Sequence, residues 1–292
     1  TWGLLVLGLV MLLLAGDALV KGAVNLSLRL GVPALIVSLT IVAFGTSAPE
    51  LLISISAVLD GVPGLALGNV VGSNTANVLL VLGVRALLAT MHTSECDTRK
   101  SYLQMMAATG LFIVLCFFGA LTFVSGIILL TALAVMLLWA VKQARAHRKA
   151  RSDDDEIEGA DPSLGWPLIL LYLGLGLVGL PLGANLLVEG STNIAGRFGV
   201  SETVIGLTLV AIGTSLPELA TTVMAALRRQ ADVALGNVIG SNMFNLLGIM
   251  GVASLVGTIP VARDFLTFDL WIMLGASLVL LPFVFFRQNI TR

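Results

Sequence analysis

GTSAPE occupies positions 45–50 and GTSLPE positions 213–218, while GNVVGSN occupies 68–74 and GNVIGSN 236–242. Both pairs of motifs stand 168 residues apart. At that offset residues 31–83 align on 199–251 without a gap, with 25 identities in 53 positions. Apolar helices share Leu, Val and Ala by composition alone. They do not share Thr, Ser, Pro, Glu and Asn at fixed places, so the chain carries an internal duplication.

The surroundings of the motifs are apolar. Of the 292 residues 57% are hydrophobic and only 11% charged, against about 25% charged in a typical soluble domain. Mean hydropathy is +1.01. These values exclude a soluble enzyme, a disordered chain and a disulfide scaffold, and a net charge of −1 with dispersed basic residues excludes an ordinary nucleic-acid binder. Cys96, Cys116, His92 and His147 have no metal-ligand spacing, and no nucleophile cluster or phosphate loop suggests an enzyme. The fold class expected is an all-α polytopic membrane protein.

A span of about 20 residues crosses a hydrocarbon core of about 30 Å. By that measure nine spans are expected, near 2–20, 33–59, 65–88, 102–119, 122–141, 164–188, 201–227, 233–256 and 268–286. The second and seventh carry Pro49 and Pro217 near their middles. One long polar segment, 142–163, is basic and then acidic, and reads as a solvated linker. It divides the chain into a first repeat (1–141) and a second (164–292). Five spans in the first half predict five in the second; only four are visible, so a tenth helix is expected to be absent from this chain. With the N-terminus outside, 14 of the 16 Lys and Arg fall inside, leaving Arg197 and Arg263 outside. That bias sets the expected orientation and puts the linker in the cytoplasm. Five spans separate equivalent elements, so the two repeats are inverted. Inverted repeats characterise secondary transporters with a site near the bilayer midplane.

Glu50 and Glu218 lie deep in apolar spans, where an isolated charge costs about 2.5–3.5 kcal/mol or more. The ordinary explanation is an ion pair, but every Lys and Arg falls in a loop or at a span end. A cation or a proton must then supply the positive charge, and two carboxylates neutralise one divalent ion, two monovalent ions or two protons. Thr46 and Ser47 precede Glu50 by four and three residues, so helical spacing puts all three on one face; Thr214 and Ser215 do the same for Glu218. Ser73 and Asn77, four apart in the third span, form the other wall, and Ser241 and Asn245 repeat the pair. Asn69, Asn74, Asn237 and Asn242 are read instead as hydrogen bonds between helices. The candidate ligands are all oxygens, which suits hard cations such as Ca²⁺ and Na⁺.

The double motif GTSxPE and GNxxGSN, present twice in inverted halves, resembles the sodium/calcium exchanger family of the cation/calcium antiporter superfamily, and most closely its bacterial inner-membrane members. The resemblance implies a ten-helix exchanger fold built from two inverted five-helix repeats. It implies ion ligands from Thr46, Ser47, Glu50, Ser73 and Asn77, and from Thr214, Ser215, Glu218 and Ser241, with backbone carbonyls of Ala43 and Ala211. It further implies that sliding of the first and sixth spans switches access. Some members carry Asp where this chain has Asn245, and in the potassium-dependent branch that Asp resembles a determinant of potassium use; Asn245 thus points to a potassium-independent exchanger. Proton-coupled members of the superfamily usually carry an extra acid in the GN motif, which GNVVGSN and GNVIGSN lack. The expectation is an antiporter of Ca²⁺ and Na⁺ in the inner membrane, monomeric, without cofactor and without nucleic-acid partner. A Ca²⁺/H⁺ antiporter of the same fold is the alternative.

Overall fold

The computed structural model describes residues 2–84, 98–150, 161, 163–199 and 211–285. Arg85, His92, Cys96, the acidic run within 151–160, residues 201–210 of the seventh expected span, Arg287 and Arg292 lie outside the described residues. In chain order the helices are α1 (Trp2–Leu30), α2 (Ala34–Thr46), α3 (Ala48–Leu59), α4 (Pro63–Val84), α5 (Thr98–Cys116), α6 (Phe123–Ala150), α7 (Trp166–Arg197), α8 (Ala211–Thr214), α9 (Leu216–Leu227), α10 (Ala231–Val256), α11 (Phe265–Val279) and α12 (Leu281–Phe285). Two short strands, β1 (Ala120–Leu121) and β2 (Ile259–Pro260), pair antiparallel and tie the α5–α6 connection to the α10–α11 connection. The charge bias puts both connections on the same side.

Among the described residues five helices are long and apolar enough to cross a membrane, and the bent pair α2–α3 makes a sixth. Of the other expected spans, α5 opens on Thr98-Arg-Lys-Ser, which dilutes its apolar run, and α9 and α11 are shorter apolar helices; residues 201–210, which precede α8 and α9 in the seventh span, lie outside the described residues. Elsewhere helices outrun the expected bounds: α1 continues to Leu30, and α6 continues through Lys142 to Ala150, into the segment expected to be linker. The flanks suit lipid. Leu14, Leu52 and Leu138 are 67%, 67% and 70% exposed, which an aqueous surface would not tolerate over so large an apolar area.

α1 and α7 lie antiparallel along most of their length, and small residues explain how. A methyl added at Gly176 would stand 2.5 Å from Leu19 Cβ, one at Gly22 2.9 Å from the Leu173 nitrogen, and one at Gly8 2.5 Å from the Leu187 nitrogen. In a bilayer, close backbone approach of this kind replaces the hydrophobic drive that holds helices together in water. The two helices are also repeat mates. At the same offset of 168, Gly22, Asn25, Arg29 and Gly31 match Gly190, Asn193, Arg197 and Gly199. Gly31 and Gly199 both turn through the left-handed region, at φ 66° and 77°. The duplication therefore reaches further back than residue 31.

α10 is the central helix. Every residue from Val233 to Met243 is buried, and α2, α5 and α9 pack around it. A methyl at Gly240 would stand 2.6 Å from the carbonyl of Leu39, and one at Gly236 2.9 Å from that of Leu35. Ser38 Oγ donates to the Val233 carbonyl at 2.6 Å and seals the same contact.

Polar groups collect at the end of the bundle where α1 ends and α7 begins. Arg29 Nη2 donates to the Leu164 carbonyl at 2.5 Å, the Asp161 amide donates to Asn25 Oδ1 at 2.8 Å, and Lys21 Nζ donates to the Tyr172 hydroxyl at 3.2 Å. Asp161 in turn accepts from the hydroxyl and amide of Ser163, which hold its carboxyl below the usual carboxylate range. Asp17 is ion-paired with Arg228 through contacts of 2.5 and 2.8 Å.

The glycine contacts give a direct test. Gly176→Val drives two branches into Leu19 and is expected to destabilise the protein by about 1–3 kcal/mol, as overpacking does. Gly110→Ala, which lies inside α5 and meets nothing within 4 Å, is expected to keep or slightly raise the melting temperature in detergent, since Ala favours a helix interior over Gly by about 0.5–1 kcal/mol. Thermal unfolding of the two variants beside wild type checks both.

Candidate functional site

Each GTSxPE motif breaks a helix rather than bending one. α2 ends at Thr46, Ser47 adopts φ −84° and ψ 6°, and α3 starts at Ala48. α8 ends at Thr214, Ser215 adopts φ −88° and ψ 2°, and α9 starts at Leu216. The axes of α2 and α3 differ by 44°. Pro49 and Pro217 thus sit in the first turn of a new helix, where a missing N–H costs nothing. Pro49 lies near the middle of its broken span, as expected, and each helix breaks two residues before its proline. The break also puts Glu50 and Glu218 in first turns, at the positive ends of α3 and α9.

α4 and α10 form the opposite wall, and both change pitch at the site. Their helices loosen into π turns at Asn77–Val81 and Phe244–Ile249, a feature that often marks functional positions. Thr46, Ser47, Glu50, Ser73 and Asn77 are all at most 5% exposed, as are Ser215, Glu218, Ser241 and Asn245. Thr214 is half-buried. The Ala43 carbonyl accepts from the Ser47 amide at 3.1 Å and the Thr46 hydroxyl at 3.3 Å, and Ala211 lies in α8.

The hydrogen bonds cross between repeats. Ser47 Oγ donates to Glu218 Oε1 at 3.2 Å, and Ser241 Oγ reaches the same oxygen at 3.5 Å. Thr46 Oγ1 lies 3.3 Å from Ser241 Oγ and donates to Asn237 Oδ1 at 3.2 Å. Helical spacing groups Ser47 with Glu50; because the helix ends at Ser47, its hydroxyl instead serves the acid of the other repeat. The mirror-image bond is missing. Ser215 Oγ, both oxygens of Glu50 and Oε2 of Glu218 are buried without a partner, and so are Asn77 Oδ1 and Asn245 Oδ1. Buried polar atoms are nearly always paired. A cluster of unpaired acceptors therefore needs a donor or a cation.

The motif asparagines brace this cluster. Asn69 Nδ2 donates to the Glu50 carbonyl at 3.2 Å and to Ser54 Oγ at 3.1 Å; its repeat mate Asn237 makes the same contacts to Glu218 and Thr222 at 3.5 Å. Ser54 and Thr222, both fully buried, escaped the sequence reading. Their only signal was their place one turn beyond each acid. Among the described residues no three His, Cys, Asp or Glu gather to hold a metal, so hydroxyl, amide and carbonyl oxygens must complete any shell around the two acids.

The packing around the two acids is unequal. Gly236 and Gly240 are buried under α2, whereas their repeat mates are half-buried (Gly68) and exposed (Gly72). Two duplicated broken helices, each with a buried acid, crossing two duplicated helices that carry hydroxyls and amides, make this a membrane transporter of the inverted-repeat class. The description "sodium/calcium exchanger protein" matches residues 1–142 and 168–292, and the chain belongs to that family. It is 37% identical to the sodium/calcium exchanger MaX1 of Methanosarcina acetivorans, over 96% of this chain and 90% of that one. It is 36% identical to the inner membrane protein YrbG of Escherichia coli, over 87% and 79%. The solved structure of the sodium-calcium exchanger NCX_Mj superposes with a TM-score of 0.85 at 32% identity, covering 99% of this chain and 92% of that one. The family and the helical exchanger fold implied by the motifs are thereby established.

The unpaired acceptors predict a stability effect independent of transport. In a cation-free buffer Glu50→Gln replaces one of two unpaired carboxylate oxygens by an N–H donor. It is expected to raise stability by about 1–3 kcal/mol, the cost of leaving buried acceptors unmade. Melting temperature in choline with a chelator measures it, and an unchanged or lower value would count against an unsatisfied acceptor cluster.

Proposed function

We propose that this chain is a secondary active antiporter that exchanges Ca²⁺ for Na⁺ by alternating access and needs no K⁺. The observation that carries the reading is the set of buried oxygens without partners: both of Glu50, one of Glu218, Ser215 Oγ, Asn77 Oδ1 and Asn245 Oδ1. They come from both repeats and include three of the four carboxyl oxygens of the two acids. Hard cations take six to eight oxygens at about 2.3–2.6 Å, and the Thr46, Ser47, Ser73, Thr214 and Ser241 hydroxyls with the Ala43 and Ala211 carbonyls supply the remainder. Glu50 and Glu218 bind the ions directly. Because the same two charges serve one Ca²⁺ or two monovalent ions, the cargoes compete, and competition at one site is what exchange requires.

Alternating access uses the inequality between halves. α2 closes over Gly236 and Gly240 of α10, while Gly68 is half-buried and Gly72 exposed; inverting that packing presents the site to the other side. The α1–α7 pair, joined by backbone contacts, slides as a unit to drive it. Closure over an empty site would bury two charges without a counter-ion, so the switch runs mainly on the loaded protein. The bias of Lys and Arg supports an N-terminus outside and a cytoplasmic 142–163 linker. YrbG, named as an inner membrane protein, supports that location. MaX1 and NCX_Mj, both named as sodium/calcium exchangers, support the pair of cargoes. Asn245, an amide in place of an acid, supports independence from K⁺. The protein works as a monomer, since all the proposed ligands come from one chain.

The test is ⁴⁵Ca²⁺ uptake into proteoliposomes loaded with Na⁺, K⁺ or choline across a set pH gradient. Uptake is expected with internal Na⁺, unchanged by K⁺ and by the pH gradient. Uptake that follows protons and ignores Na⁺ would replace this reading with the Ca²⁺/H⁺ alternative. Glu50→Gln and Glu218→Gln are each expected to cut exchange by about 100-fold, as loss of roughly 3 kcal/mol of ion binding would, with the folded protein retained on size-exclusion chromatography.

A further inference from the structure

Four buried asparagines meet where α4 crosses α10. Asn74 and Asn242 are repeat mates, and so are Asn77 and Asn245; each is at most 2% exposed. Asn74 Nδ2 donates to the main-chain carbonyl of Asn242 at 3.1 Å, and Asn242 Nδ2 donates to that of Asn74 at 3.4 Å and faces Met105 Sδ at 3.8 Å. A main-chain carbonyl can only accept, so both amides must turn their NH₂ groups toward the opposite helix. Their Oδ1 atoms are then fixed as acceptors. Asn74 Oδ1 accepts from Asn245 Nδ2 at 3.0 Å, and Asn242 Oδ1 accepts from Asn77 Nδ2 at 3.1 Å. The NH₂ groups of Asn77 and Asn245 are thereby taken up, and their Oδ1 atoms are left unpartnered in the buried interior.

We propose that Asn74 and Asn242 are positioning residues that set the polarity of the ion site, by holding Asn245 and Asn77 with oxygen, not NH₂, toward the cation. This rests on the proposed role of Asn77 and Asn245 as ligands. The two ends of a side-chain amide are nearly equal in size, so packing alone does not choose between them. The choice is electrostatic. An NH₂ turned inward repels a cation and removes one oxygen from its shell. Asn74 and Asn242 settle it through a relay anchored on carbonyls that cannot reverse. The relay is reciprocal, each repeat orienting the ligand of the other. The competing explanation is that the tetrad only glues α4 to α10.

An acid separates the two explanations, because a carboxylate has two accepting ends and needs no orientation. Half-saturating Ca²⁺ for Na⁺-driven ⁴⁵Ca²⁺ uptake is measured on the full chain in proteoliposomes, beside melting temperature. Asn74→Leu releases Asn245 and is expected to raise half-saturating Ca²⁺ about tenfold, the worth of one hydrogen-bonded orientation. Adding Asn245→Asp to Asn74→Leu is expected to recover most of that loss without recovering the melting temperature. Asn245→Asp alone, facing the fixed Oδ1 of Asn74, is expected to bind more weakly than wild type. Asn242→Leu with Asn77→Asp is the independent second arm should Asn74→Leu fail to fold. Unchanged half-saturation in both single Leu variants, or loss of affinity that the acid does not rescue in either arm, would overturn the proposal and leave helix packing. Wild-type protein without Na⁺-driven Ca²⁺ uptake would instead overturn the underlying function.

Discussion

Two acids buried in an apolar bundle, with no basic side chain to meet them among the described residues, govern the design of this protein. A charge at the centre of a membrane span costs about 2.5–3.5 kcal/mol or more, so each of the two acids calls for a proton or a cation. Much of the polar architecture limits that cost. Each acid stands in the first turn of a helix, so the helix dipole favours it. Each motif asparagine ties the backbone carbonyl of an acid to a hydroxyl one turn on. What these devices leave undone is a counter-charge, and the unpaired oxygens of Glu50 and Glu218 mark where it must come from.

The duplication gives two copies of this arrangement, and the structure does not treat them alike. Ser47 reaches Glu218, while Ser215 does not reach Glu50. Gly236 and Gly240 lie against the α2 backbone, while Gly72 is exposed. The polar positions of the motifs are the same in both repeats, so the difference lies in the packing around a shared polar chemistry. The equivalence extends to loop ends. Gly61 at φ 76° and Arg229 at φ 58° hold the same left-handed position after α3 and α9, although only one of them is glycine.

Much of this was legible in the sequence, because it was written twice. The motifs around Glu50 and Glu218 fixed the family, the membrane setting and the inverted halves, since polar identities at constant spacing cannot arise from apolar composition. The α1–α7 repeat was not seen, because its matches are a few Gly, Asn and Arg scattered among interchangeable Leu and Val. The place of the helix break could not be read, because proline is tolerated both at a kink and in a first turn; only the dihedral angles at Ser47 and Ser215 decide between them. Nor could the partner of Ser47, since spacing along a helix says nothing once the helix has ended. The asparagines of GSN were correctly read as bonds between helices. Their reciprocal order could not be read, because it depends on which amide faces a main-chain carbonyl across the crossing.

That order bears on how coupling is achieved in the proposed mechanism. A site assembled within one repeat could hold its ion through any motion of the other. Here the contacts cross: Ser47 of the first repeat serves Glu218 of the second, and Asn74 orients Asn245 while Asn242 orients Asn77. No rearrangement of one repeat against the other leaves the ligand set untouched. A bound cation is then a bridge between the moving parts, and its charge and number of ligands act directly on the equilibrium between packings. A ligand shifts such an equilibrium only by its differential affinity for the two states. A site shared across the moving interface supplies that difference for both cargoes, and two acids sharing one place make the presence of either ion exclude the other.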